Sequence, residues 1–413
     1  MSREMKHSGT DWIGEIPVQW ELAPTKRVFR GKKRIVGDEA DNYERLALTL
    51  NGVVKRNKDD NEGLQPEQFN GYQILEKNEL VFKLIDLQNI RTSRVGLSPY
   101  TGIVSPAYII LSNSETDNRF YYYWFMDMYN RCIFNQMGDD GVRSALNIKD
   151  VLEIPLPLIA ESTRIKIASF LDKKCAEVDE MIALQEQIIE ELKAYKQSVI
   201  TEAVTKGLNP DVPMKDSGIE WIGQIPEHWE VSKVKWECAI MDYLREPISA
   251  ENRKNELGLY DYYGASGVID KIDDYNVDDK VLLIGEDGAN LVMRNLPLVY
   301  KAEGKFWVNN HAHILKPLAN NCYSYMAYML EAGDYTHYIT GSAQPKLSQD
   351  NIKNFIIPMP RDYTEQQTIA DYLGEKCADI DSLIQTKQSK IDSLKEYKKS
   401  IIYEYVTGKR EVE

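Results

Sequence analysis

Most signatures of a simple catalyst or a secreted module are missing from this sequence. It has five cysteines, an odd number, and no C-x-x-C pair, so neither a disulfide framework nor a zinc knuckle is expected. The five histidines (His7, His228, His311, His313 and His337) form no H-E-x-x-H and no other metal-ligand spacing. The glycines at Gly285–Gly288 do not make a G-x-x-x-x-G-K-[ST] phosphate loop, and no G-x-G-x-x-G follows a strand. The Asn/Asp-Pro-Pro-aromatic tetrapeptide of amino-methyltransferases is absent. Glu191-Leu192-Lys193 has the E-x-K form of a nuclease half-motif, but it lies in a long helical run and reads as solvated flanks. We therefore expect no catalytic site, no metal and no cofactor in this chain. No apolar run reaches the roughly 18 residues of a membrane span, and Met1–His7 holds no apolar signal core, so a soluble, cytoplasmic chain with no membrane partner is expected. Basic charge is also short: Lys+Arg 50 against Asp+Glu 64 gives a net −14. At first sight that weighs against nucleic acid.

What is present is a chain written twice. Its 413 residues predict two or three domains, and 43% hydrophobic content with 10% aromatics can build real cores. Asp11-Trp12-Ile13-Gly14-Glu15-Ile16-Pro17-Val18-Gln19-Trp20-Glu21 recurs, at an offset of 209, as Glu220-Trp221-Ile222-Gly223-Gln224-Ile225-Pro226-Glu227-His228-Trp229-Glu230. Ile154-Pro155-Leu156-Pro157 matches Ile357-Pro358-Met359-Pro360. A long helical run follows each, at 167–206 and 369–408, with 18 of 40 positions identical. The segment 207–218, with two prolines and two glycines, reads as a surface connection. Between the repeated parts, the blocks 22–150 and 231–350 show no visible similarity. The frame is duplicated and its inserts differ, which suits two different ligands or two halves of one.

Heptad bookkeeping tests the helical runs. Leu171, Cys175, Val178, Ile182, Gln185, Ile189, Leu192, Lys196, Val199 and Ala203 step alternately by four and three. The second copy gives Leu373, Cys377, Ile380, Ile384, Lys387, Ile391, Leu394, Lys398, Ile401 and Tyr405. A period of 3.5 over five heptads predicts a left-handed coiled coil, and the simplest partner for each helix is the other copy. The polar positions (Gln185 and Lys387, Lys196 and Lys398) would cost stability and help set register. Cys175 and Cys377 read as small buried hydrophobes. Forty helical residues span about 60 Å, against about 34 Å for one turn of DNA.

The inserts read as mixed strand and helix. Strands are predicted at 43–50, 80–85, 108–112, 280–284, 296–299, 306–308 and 313–315, and aromatic-rich core helices at 120–130 and 323–332. The first insert carries 18 Lys+Arg against 17 Asp+Glu, the second 12 against 17. A basic cluster runs from Lys26 to Arg34, with singles at Lys55, Arg56, Arg91, Arg94 and Arg143. In the second insert, polar loops stand out at 285–290, 294–295, 309–311 and 341–346. Arg, Asn, Gln and Lys are the residues that read base edges, and glycine turns let backbone approach phosphate. The candidate DNA contacts are Lys55, Arg56, Arg91, Arg94, Arg143, Asn290, Arg294, Asn309, Asn310, Gln344 and Lys346.

The order W-I-G-x-I-P-x-x-W, insert, I-P-x-P, I-A-x-[FY]-L, long helix, all repeated once, resembles the specificity (S) subunit of type I restriction-modification enzymes. Further phrases fit: Val281–Asn290, Phe306–His313, Gly341–Leu347 and Glu365-Gln366-Gln367-x-Ile369-Ala370. The resemblance implies a mixed α/β fold with two target-recognition domains (1–158 and 220–362). They are joined by two long helices (159–206 and 363–413) in an antiparallel coiled coil with a pseudo-two-fold internal repeat, and 207–219 is the linker. It also implies that each domain reads half of a bipartite double-stranded DNA site and that the helices set the spacing and dock two modification subunits. Those subunits would carry S-adenosylmethionine and methylate adenine; restriction subunits using ATP and Mg could join. This chain would be non-catalytic. The first copy departs from the pattern: Glu161-Ser162-Thr163-Arg164 stands where the second has Glu-Gln-Gln. A coiled-coil scaffold that never touches DNA is the rival reading. An acidic total then suits a chain that grips DNA only together with its partners.

Overall fold

The computed structural model describes residues 3–58, 68–85, 87, 94–113, 117–137, 145–249, 251, 253, 258–341 and 343–412. The chain divides into two compact units. The first comprises Met1–Glu186 with Ser389–Glu413, and the second Gln187–Gln388. The boundary cuts both long helices near their middles, so neither helix forms a domain of its own, in contrast to the division expected at 159–206 and 363–413.

The first unit opens with a short hairpin, Met5–His7 paired with Glu15–Pro17. Glu21–Pro24 then pairs antiparallel with Pro155–Leu158, which carries the first I-P-x-P. This pairing brings the two ends of the insert together; proline, lacking an N–H, is tolerated in so small a sheet. The insert folds into two four-stranded sheets. Their strand orders are 52–56, 45–49, 102–104, 73–75 and 30–32, 109–112, 80–83, 94–97. Helix α1 (Arg119–Asn130) buries Phe120, Tyr121, Trp124, Phe125 and Met128, so its aromatic run is core.

The second unit repeats the frame. Met214–Asp216 pairs with Gln224–Pro226, and Glu230–Lys233 with Ile356–Met359. The connection expected at 207–219 is therefore shorter, because its end is already a strand. Met5-Lys6-x-Ser8-Gly9 and Met214-Lys215-x-Ser217-Gly218, again 209 apart, mark that hairpin in both copies. The insert differs, however: it forms one six-stranded sheet in the order 238–240, 312–317, 277–285, 299–308, 260–264, 267–272. Strands expected at 296–299 and 306–308 are one strand, Val299–Val308. Leu296 is excluded because its N–H is taken by Asn290 Oδ1 at 2.9 Å, and Pro297 has no N–H to give. Helix α3 (Tyr323–Ala332) buries Tyr325, Met326, Met329 and Leu330.

The long helices are α2 (Glu161–Lys206) and α4 (Tyr363–Val406), each starting six residues before the helical runs expected at 167 and 369. They run antiparallel. In the first unit Ile167, Ala168, Leu171 and Cys175 share a core with Ile401, Ile402 and Val406, and the Phe170 and Tyr405 rings lie 4.4 Å apart. In the second, Ile200, Ala203 and Val204 share a core with Ile369, Ala370, Leu373 and Cys377. Val178, Ile189, Ile380, Ile391 and Leu394 are also buried, while Ile182, Leu192 and Ile384 are half-buried. The seam lysines do not face each other. Lys196 reaches Asp381 at 2.7 Å and Lys398 reaches Asp179 at 2.6 Å. Each pair is the other with the two sequence copies exchanged, at the same offset of 202.

The tryptophan motifs close the helix ends. Trp20 and Trp229 are buried. A Cβ on Gly408, just beyond α4, would lie 2.6 Å from Pro17 and 2.9 Å from Trp20. On Gly207, just beyond α2, it would meet Trp229 at 3.4 Å. Both glycines have positive φ, ending the helices in the left-handed turn that glycine favours. Each copy of the motif thus seats the end of the other copy's helix.

Leu373 is wholly buried in this seam, so Leu373→Ala should cost about 2–5 kcal/mol of unfolding free energy. Denaturant unfolding reads it directly; a cost below about 0.5 kcal/mol would mean that the seam is not packed here.

Candidate nucleic-acid interface

The polar phrases of the second insert converge. Strand Val277–Gly285 ends at Gly285, where a Cβ would lie 2.7 Å from the Ala265 carbonyl, so the next residues turn sharply against that backbone. Glu286 N donates to His311 O at 2.8 Å, Leu347 N to Glu286 O at 2.7 Å, and Gly288 N to Pro345 O at 3.0 Å. Three segments far apart in sequence, 285–288, 309–313 and 345–347, are thereby stitched into one surface.

A polar network lies beneath it. Asp242 is buried and accepts from Ile314 N (2.9 Å) and Gln349 Nε2 (2.9 Å), with His313 Nδ1 2.7 Å away. His313 Nε2 lies 2.8 Å from the Leu347 carbonyl. With an acceptor on each side, both ring nitrogens must donate for both bonds to form. Arg245 joins Asp242 (3.4 Å) to Glu286, and Lys346 reaches the other Glu286 oxygen at 3.0 Å. Burial alone pushes the Asp242 carboxyl up, but the His313 ring, the Ile314 N–H and the Gln349 amide outweigh it and hold it below its ordinary value. Glu286 is likewise raised by burial and lowered further by Arg245 and Lys346, with a net fall.

The candidate contacts are distributed unevenly over this surface. Asn310, Gln344 and Lys346 are exposed on it. Asn309 is buried, and its Oδ1 accepts from His311 N at 2.8 Å. Asn290 braces its own loop, donating to the Leu296 and Pro297 carbonyls at 3.1 and 3.2 Å. Arg294, in a left-handed conformation, donates to the Glu331 and Gly333 carbonyls and lies 5.6 Å over the Tyr335 ring. These two side chains shape the loop from within.

In the first unit, Lys55 and Arg56 line a cleft of about 490 Å³ with Tyr43, Glu44, Arg45, Asn57 and Lys58. Lys55 pairs with Glu44 at 2.6 Å and lies 5.1 Å from the Tyr100 ring centre. Arg94 opens an edge strand opposite Lys83. Arg91 and Arg143 lie outside the described residues. Three of the six cations of the basic cluster meet acids: Lys26 meets Glu153 at 2.6 Å, Lys32 meets Glu79 and Glu76 at 2.8 and 2.9 Å, and Arg34 meets Glu76 at 3.7 Å. Glu191 and Lys193 are exposed helix flanks, and Lys193 pairs with Glu190. Among the described residues no group of His, Cys, Asp and Glu could hold a metal, and no helix is long and apolar enough to cross a membrane.

Sequence reasoning missed Asp242, Arg245 and His313 as members of the site, and it singled out the loops of Glu286, Asp287 and His311 without naming these three as contacts. The available signal was the i,i+3 charge pair Asp242/Arg245 and the His-x-His spacing at the head of a strand. Asp242→Asn should cost about 3–5 kcal/mol near neutral pH, because it breaks a buried charged pair. Asp242's folded value is depressed, so its contribution is present above the ordinary value of 3.8 and is lost as pH falls through the folded one. The gap between wild type and variant should therefore narrow below that pH. Denaturation measured across pH checks it; a gap constant with pH would contradict the assignment.

Comparison with known proteins agrees with this geometry. Residues 226–409 match the family model described as the type I restriction modification DNA specificity domain. A Haemophilus influenzae protein named as a type I restriction enzyme specificity subunit is 30% identical over 138 residues, 32% of this chain and 34% of that one. The MjaVIII type I restriction enzyme specificity subunit of Methanocaldococcus jannaschii is 25% identical over 285 residues, 62% of each chain. The chain thus spans about one third and three fifths of these curated relatives. A solved chain from work on complex assembly and conformational transition of the type I R-M system shares the fold with a TM-score of 0.69 at 14% identity, covering 95% of this chain and 98% of that one. The resemblance carried by the repeated motifs therefore holds: the chain is similar to type I restriction enzyme specificity subunits, and its residues 226–409 match the DNA specificity domain of that family.

Proposed function

We propose that this chain is a non-catalytic specificity subunit that reads a bipartite double-stranded DNA target, one half with each unit. The observation that carries the reading is the convergence of three polar segments of the second insert on one surface, braced from below by Asp242, Arg245 and His313, inside the region that matches a DNA specificity domain. Asn310, Gln344 and Lys346 offer the donors and acceptors that base edges and phosphates take up. In the first unit the corresponding candidates are Lys55, Arg56 and Arg94. Two unlike inserts on one duplicated frame suit two unlike half-sites.

The long helices set the spacing between half-sites and dock two modification subunits, with restriction subunits as further partners. The chemistry belongs to those partners: S-adenosylmethionine on the modification subunit for adenine methylation, ATP and Mg on a restriction subunit. This chain supplies orientation and choice of sequence.

Expression of the chain with the methyltransferase encoded beside it, followed by sequencing of modified adenines, tests the proposal. A split motif methylated only when the chain is present is expected; modification that ignores the chain would defeat the reading. Removing one heptad from both α2 and α4 shortens them by about 10 Å. The same sequencing should then report a spacer about three base pairs shorter, and unchanged spacing would refute the role of the helices as a ruler.

A further inference from the structure

The turn after strand Val299–Val308 and the head of strand Ala312–Pro317 carry two histidines, His311 and His313, with opposite surroundings. His313 is fully buried between Asp242 and the Leu347 carbonyl and acts as a strut. The His311 side chain keeps 47% of its surface exposed, yet its Nδ1 lies 2.8 Å from Asp287 Oδ2. Among the described residues Nε2 has no partner. The backbone beneath the ring is fixed three times. Asn309 Oδ1 accepts from His311 N at 2.8 Å, His311 O accepts from Glu286 N at 2.8 Å, and Asn309 N donates to Tyr263 O at 3.0 Å. Asp287 is itself held, since its backbone bridges to Lys346.

An exposed ion pair or hydrogen bond of this kind adds little stability, and fixing an exposed ring costs side-chain entropy. Orientation of this kind has value where the ring must meet a ligand already aimed. The acidic neighbour Glu286 does not spoil the surface for DNA, because Arg245 and Lys346 occupy both of its oxygens. Asn310, Lys346 and Gln344 are exposed on the same surface.

Resting on the reading of the second unit as a reader of DNA, we propose that His311, oriented by Asp287, contacts a base edge in the half-site of that unit through Nε2. While Nδ1 carries the ring proton toward Asp287, Nε2 accepts, which matches the amino group of adenine or cytosine in the major groove. Asp287 is a positioning residue that decides which ring atom meets the DNA.

The test uses the full chain, co-purified with its methyltransferase, and a library of randomised duplex DNA from which bound molecules are sequenced. With wild type a split motif should be enriched. His311→Ala should leave the melting temperature unchanged and reduce discrimination by about tenfold at one position of one half. Asp287→Asn should weaken the same position. Unchanged enrichment in His311→Ala would overturn the proposal. A uniform loss on all sequences with a shallower salt dependence would also overturn it, by identifying a phosphate contact. If wild type itself enriches no motif, the failure lies in the reading of the chain as a DNA reader.

Discussion

Everything in this chain hangs on the antiparallel seam between α2 and α4. Neither unit has a complete core without it. The first unit needs Ile401, Ile402 and Val406 from the far end of the chain to cover Leu171 and Cys175, and the second needs Ile200, Ala203 and Val204 to cover Leu373. Each fully buried aliphatic side chain contributes about 1.5–3 kcal/mol, so the seam outweighs its exposed lysine–aspartate pairs, which are worth about 0–1 kcal/mol each. Those pairs act instead on register. Lys196–Asp381 and Lys398–Asp179 are related by the same displacement, so sliding one helix along the other breaks both at once.

The duplicated frame keeps some contacts and replaces others where its residues change. In the second unit Gln366 donates to the Pro360 carbonyl at 2.8 Å and accepts from Cys322 N at 2.7 Å, tying the helix start to the strand before it and to α3. The equivalent residue in the first unit is Arg164, which donates to the Ile159 carbonyl at 3.1 Å and to the Tyr121 hydroxyl at 3.2 Å. Glu365 bonds the Trp229 indole at 2.9 Å. Thr163 at the matching place cannot reach so far, and there the guanidinium of Arg3 lies 5.5 Å over the Trp20 ring instead. The departure of the first copy from the Glu-Gln-Gln pattern thus keeps the tie at the helix start and replaces the one to the tryptophan.

The frame was legible in the sequence because repetition and heptad spacing are local patterns with fixed periods. Both long helices and the pairing of copies follow from them, while the aromatic core helices α1 and α3 are read from their own apolar runs. The inserts were less legible. Strand Val299–Val308 looked like two pieces because Lys301, Glu303 and Lys305 interrupt its apolar run on the solvent side. The site was half legible. Residue type and loop position singled out Lys346, Asn310 and Arg294 alike, but the Arg294 guanidinium donates to two carbonyls and lies over the Tyr335 ring. The Asp242–His313 strut joins residues 71 apart in sequence, and no spacing rule reveals such a pair.

Several cations of this acidic chain face its own carboxylates. Lys26, Lys32 and Arg34 in the first unit, and Arg245 and Lys346 in the second, face carboxylates of their own unit. A cation so paired contributes little long-range attraction to a phosphate backbone, since its field is cancelled within a few ångströms and screened beyond about 10 Å. It does, however, hold a loop in one shape. Geometry discriminates between bases, while uncompensated charge attracts all DNA alike. A lysine or arginine committed to loop geometry in this way adds little to a general attraction for phosphate.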